Sequence, residues 1–181
     1  LIIEENEKNI LVGAIPRSGK SYIMGGVILD YLNWTDGSLK NFLLITPAPT
    51  ETFGEYKKLF DTHIDFHNQI EAIYLDAEGR ASGKQGKQGK HRVYIASKQL
   101  LGWGPKQERE DERIQDEIDL NKNFKFKNVK KYFKDVDDFT IIFLDEAHFG
   151  LSTKSSQLIL DEINHLSKNA SKTPKVFVTA T

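Results

Sequence analysis

Cysteine is absent from the 181-residue sequence, which excludes disulfides, iron–sulfur clusters and cysteine-based zinc sites and fits a reducing compartment. No apolar run approaches the roughly 18 residues that a membrane span needs, and the amino end is too charged for a secretory signal. An excess of one charge is also missing. With 25 Lys+Arg against 26 Asp+Glu the net charge is -1, so nucleic acid would have to be bound by local patches rather than by a general field. A soluble, intracellular protein is expected. The chain starts at Leu1 and stops at "VFVTAT", directly after a strand-like run, which leads to the expectation of a piece of a longer polypeptide.

What the sequence does have is an alternation of short β-type runs with helix-type stretches. "NILVGA" (9–14), "NFLLIT" (41–46), "RVYIAS" (92–97), "FTIIFLD" (139–145) and "KVFVTA" (175–180) are near-continuous apolar runs, the pattern of strands covered on both faces. Residues 19–33, 50–60 and 154–168 read as helices between them; in the last, Leu158, Ile159, Ile163 and Leu166 form one apolar stripe. The expected fold is therefore α/β, with a mostly parallel central sheet flanked by helices, in one domain over 1–181. Two segments between the third and fourth runs depart from the pattern. The Gly/Lys-rich "EGRASGKQGKQGKHR" (78–92) reads as a solvated loop, and the mixed-charge "PKQEREDERIQDEIDLNKN" (105–123) as an exposed helix or partly ordered insertion.

"GAIPRSGKSYIMGG" (13–26) stands between a buried strand and an amphipathic helix. A tight loop there aims backbone N–H groups and the positive end of the helix dipole at one point, which favours an anion. Ala14, Pro16, Arg17, Ser18, Gly19, Lys20 and Ser21 would line it: Gly19 for close backbone approach, Lys20 for the β- and γ-phosphates, and the Ser21 hydroxyl for Mg²⁺. The other reading is a surface turn holding an ordinary Gly-Lys-Ser, because Ala14 and Arg17 stand where such loops often have glycine.

"TIIFLDEAHFG" (140–150) adds a hydrophobic strand that ends in two carboxylates, at the sheet edge where open α/β domains bind ligands. Asp145 can hold Mg²⁺ through its water shell, and Glu146 can orient the water that attacks a γ-phosphate. By itself such a pair is also an ordinary solvated strand end. With the loop, the two segments form a plausible constellation for phosphoryl chemistry.

"AIPRSGKS", "DEAH" and "TAT" together resemble motifs I, II and III of the superfamily 2 helicases, in order and in spacing. "LLITPAPTETFGEYKKLF" (43–60) is similar to motif Ia of that family, and "YIASKQLL" (94–101) to its later strand-and-turn motif. The resemblance covers nearly the whole chain and extends to restriction-enzyme-type and large-DNA-virus members. It implies the first RecA-like, P-loop NTPase domain of an ATP-dependent helicase or translocase, with ATP and Mg²⁺ as cofactors. Nucleic acid, DNA ahead of RNA, would be a partner, as would a second RecA-like domain that supplies an arginine finger. It also implies that His148, Thr179 and Thr181 couple nucleotide state to motif III, and that Thr46, Ser97 and Lys98 touch a nucleic-acid backbone. The chain departs from the family at Arg17 and has no glutamine before the loop to read adenine.

Several residues keep two readings. His148 is either a coupling group or a hydrogen-bonded structural residue. Thr46, Ser97 and Lys98 contact phosphates or cap helices. Lys84, Lys87, Lys90, His91 and Arg92 add phosphate contacts or solvate a loop, and Trp103 stacks on a base or packs in the core. His63, His67 and His165 show no metal-ligand spacing. The rival functions are a P-loop ATPase or kinase domain indifferent to nucleic acid, and a nucleic-acid module with an inactive ATP site.

Overall fold

The structure, a computed structural model, describes residues 9–15, 18–47, 49–75, 81–82, 89–97, 133, 136, 138–145 and 172–180. Seven strands and two helices are found among them: β1 (Asn9–Ala14), α1 (Lys20–Asn33), β2 (Asn41–Thr46), α2 (Pro49–Thr62), β3 (Ile70–Leu75), β4 (Ala81–Ser82), β5 (His91–Ser97), β6 (Ile141–Leu144) and β7 (Lys175–Ala180). They form one sheet in the order β1-β7-β6-β2-β5-β3-β4. Six of these strands run parallel, and the two-residue β4 pairs antiparallel with β3 at one edge. This is an α/β fold of the Rossmann or RecA-like type, as the alternating runs predict.

All five strand runs read from sequence are strands. β3 is an addition. Its "IEAIYL" is interrupted by Glu71, which masks the apolar signal, yet every residue of it is buried. β4 lies inside the stretch read as a solvated loop, a correction to that reading: Ala81 and Ser82 pair with Leu75 and Tyr74 to close a hairpin on β3. The helix expected at 154–168 and the charged segment at 105–123 lie outside the described residues, as do Lys84, Lys87, Trp103 and His165.

The steps from β1 to β2 and from β2 to β3 cross the sheet in the same direction, so right-handed connections put α1 and α2 on the same face. Alternation along the strands does the rest. Phe42 and Leu44, Val93 and Ile95, Ile141 and Phe143, and Val176 and Val178 point to that face and bury Met24 and Ile28 of α1 with Tyr56, Leu59 and Phe60 of α2. Each such side chain taken out of water contributes about 1.5–3 kcal/mol. α1 lies close against α2 and the turn after it because Gly25 has no side chain: a Cβ there would come within 2.7 Å of Phe66 Cζ and 3.2 Å of Leu59 Cδ2. On the opposite face Tyr94 packs edge-on against Phe133 and Phe139, with ring centroids 5.8 and 6.0 Å away. No helix among the described residues is long and apolar enough to cross a membrane.

Candidate functional site

β1 ends at Ala14, which is buried and level with Ala180 of β7. The chain then turns, the Ser18 N–H donating to the Ile15 carbonyl at 3.0 Å, and enters α1 through Gly19. Gly19 has φ 78° and ψ 39°, left-handed values that cost an ordinary L-residue about 1–2 kcal/mol. A Cβ on Gly19 would meet nothing nearer than 3.8 Å, so it is the backbone angle, not space, that asks for glycine. The Gly19 carbonyl accepts from the Tyr22 and Ile23 N–H groups and so starts the helix. No side chain caps this end among the described residues, and the first turn holds no acid. A helix start with no side-chain cap among the described residues and no acid in its own first turn suits an anion. Pro16 and Arg17 lie outside the described residues, so the setting of that arginine is not part of this geometry.

Asp145 stands one residue past β6, at the same carboxyl edge. Between β6 and β1 lies only β7, so the acid and the loop strand are about 10 Å apart, two strand spacings. Its N–H donates to the Ile45 carbonyl at 2.9 Å, which sets it level with Thr46, and Thr46 is in register with Ser97. Asp145, Thr46 and Ser97 thus form a polar row across β6, β2 and β5, on the face that carries α1 and α2, and all three are buried. Tyr56 of α2, itself fully buried, donates its hydroxyl to Asp145 Oδ2 at 2.9 Å. The Thr46 hydroxyl has no hydrogen-bond partner among the described residues.

Ser21, in the first turn of α1, donates its hydroxyl to Glu55 Oε2 of α2 at 3.3 Å, at the surface. The Ser21 hydroxyl and the Asp145 carboxylate are hard oxygen donors of the kind Mg²⁺ takes when it arrives with a phosphate. Among the described residues no three His, Cys, Asp or Glu converge as a protein-only metal site. The donor set fits a metal shared with a ligand. No family model matches this sequence. No curated protein matches it either.

Thr46 and Ser97, expected to touch a nucleic-acid backbone, are buried at 0% and 4% exposure. Lys90, His91 and Arg92 are found at the opposite, amino edge, and each is engaged there. Lys90 Nζ donates to the His67 carbonyl at 2.7 Å, His91 Nδ1 accepts from the Lys40 N–H at 3.2 Å, and Arg92 Nε lies 3.5 Å from Glu71. Thr179 is on β7, level with Gly13 of β1. Glu146, His148, Thr181 and Lys98 lie outside the described residues.

Tyr56 and Glu55 are the residues that sequence reasoning passed over. Phe53, Tyr56 and Phe60 fall at helical spacing, so Tyr56 reads as one more apolar contact. The available signal was chemical: a tyrosine on a buried stripe brings a hydroxyl that must find a partner.

Proposed function

We propose that this chain binds Mg·ATP at the carboxyl edge of its sheet and serves as the first RecA-like domain of a nucleic-acid helicase or translocase. Lys20 and the first turn of α1 hold the phosphates, Ser21 and Asp145 hold the Mg²⁺, and Glu146 positions the attacking water. The observation that carries this reading is the buried Asp145, two strand spacings from the strand that leads to a left-handed Gly19, which opens a helix with no side-chain cap among the described residues. The resemblance of "AIPRSGKS", "DEAH" and "TAT" to helicase motifs supports the finer assignment.

The metal supplies charge neutralisation at the γ-phosphate. The protein's own part is positioning: the loop backbone fixes the phosphates, and the acid edge of β6 fixes the water opposite them. An arginine from a second RecA-like domain of the same polypeptide completes the site, and such residues contribute on the order of 10³–10⁵ in rate. A soluble protein working inside the cell, or in a virus-infected host, on DNA ahead of RNA belongs to the same proposal.

A second reading is favoured by one observation. Thr46 and Ser97, two of the three expected backbone contacts, are buried, which suits a P-loop ATPase or kinase domain that does not act on nucleic acid. Turnover of ATP measured with and without single- and double-stranded DNA and RNA separates them. The helicase reading predicts slow turnover by this chain and polynucleotide-stimulated turnover once the second domain is supplied. Turnover indifferent to every polynucleotide in that mixture would favour the rival.

A further inference from the structure

We infer that α2 positions the two metal-side residues of the site, Tyr56 holding Asp145 and Glu55 holding Ser21. The inference rests on the Mg·nucleotide reading above and extends it to residues that lie in neither the phosphate loop nor the acid strand. Tyr56 is positioned to act on Asp145. Its ring is stacked on Phe60, with centroids 6.4 Å apart and planes 15° from parallel, and Phe60 is in turn wedged edge-on against Phe66 at 5.5 Å. A ring locked in this way delivers its hydroxyl to one point. That point is Asp145 Oδ2, 2.9 Å away, while the Met24 sulfur of α1 lies 3.8 Å from the Tyr56 hydroxyl. The phenol has a single proton, and the short contact to a carboxylate takes it in preference to a thioether.

The Asp145 backbone is held by its N–H on Ile45, and its carboxylate by Tyr56 on Oδ2. Residues that orient a metal-binding carboxylate from behind commonly change metal affinity or activity about 10- to 100-fold when removed. Glu55, the neighbouring residue of the helix, accepts the Ser21 proton and so turns the serine oxygen's lone pairs away from itself. This second contact is exposed and long, and its effect is smaller. One helix thereby touches both sides of the site, α1 through Ser21 and Met24 and β6 through Asp145. Tyr56 and Glu55 are positioning residues, not catalytic ones.

The test is a Mg²⁺ titration of the binding of a fluorescent ATP analogue to the chain. Tyr56→Phe keeps the ring and removes the donor: half-saturating Mg²⁺ should rise about tenfold, with binding in EDTA unchanged. Glu55→Gln, at the surface where the fold is not at risk, should raise it about threefold. In an Asp145→Asn background, Tyr56→Phe should add almost nothing, because its route to the metal is gone. If wild type binds the analogue without regard to Mg²⁺, the nucleotide reading fails and this inference with it. If wild type needs Mg²⁺ but neither variant shifts the titration, or the Tyr56→Phe shift persists in Asp145→Asn, the role of α2 alone is overturned. Should Tyr56→Phe fail to fold, an unshifted Glu55→Gln overturns it.

Discussion

Thr173 and Thr46 are both buried in the same sheet, at opposite ends of it. Thr173, on the amino side of β7, donates its hydroxyl to the Phe139 carbonyl at 3.2 Å. Its surroundings behave alike: the Lys40 N–H goes to His91 Nδ1, Asn41 Nδ2 to the Asp138 carbonyl, and the Arg92 N–H to the Lys40 carbonyl. Thr46, at the carboxyl end of β2, has no such partner among the described residues, and at the same edge of the sheet α1 begins with no side-chain cap among them. An unpaired buried hydroxyl costs about 1–3 kcal/mol. Most polar groups at the amino edge are paired within the fold; Glu71 Oε2 has no hydrogen-bond partner among the described residues and meets Arg92 Nε at 3.5 Å. The carboxyl edge carries a buried hydroxyl, that of Thr46, that stability does not explain, and with Asp145 beside it the ligand is assigned there.

Exchanging each threonine for valine, which has the same shape without the hydroxyl, sharpens that contrast. Thr173→Val should lose about 1 kcal/mol of stability with the hydrogen bond, whereas Thr46→Val should lose nothing or gain up to about 1 kcal/mol. Urea unfolding of the two variants beside wild type measures both. Equal losses would mean that the edges are built alike and would remove the physical ground for separating them.

A smaller effect tests the amino edge alone. Burial, with the nearby Lys40 charge second, holds the His91 imidazole below its ordinary value of 6.5. As pH falls the unfolded chain therefore takes up the proton first, so the contribution of neutral His91 is complete above about pH 6.5 and is lost below it. Protonation also ends its role as acceptor for the Lys40 N–H. His91→Asn should flatten part of the fall in urea midpoint between pH 7.5 and 5.5. An identical fall in the variant would place the pH dependence elsewhere.

Much of this was legible in the sequence, for reasons that differ by element. β2, β5 and β6 announce themselves because strands buried on both faces are mostly apolar; β1 and β7 are apolar enough to read the same way, although β1, an edge strand taken from sequence as buried, leaves Leu11 exposed. β3 hides because Glu71, paired with Arg92 across the sheet, puts a charge in the run, and β4 is too short to carry a pattern. Gly19 and Asp145 could be located because strand–glycine–helix and strand–acid sequences each imply a sheet edge. The depth of Thr46 and Ser97 could not, since a hydroxyl at a strand end looks the same whether a helix lies over it or water does. Nor could the bond from Tyr56 to Asp145, which joins residues that only the packing of α2 brings together.

The central claim is that the carboxyl edge binds a Mg²⁺-complexed nucleotide. Calorimetric titration of ATP into the chain, with Mg²⁺ and with EDTA, tests it directly. Binding strengthened by Mg²⁺ is predicted, weakened about 10- to 100-fold by Lys20→Ala and unaffected by Thr173→Val or His91→Asn at the far edge. Absence of binding in wild type, or a Lys20→Ala variant that binds ATP as wild type does, would contradict it.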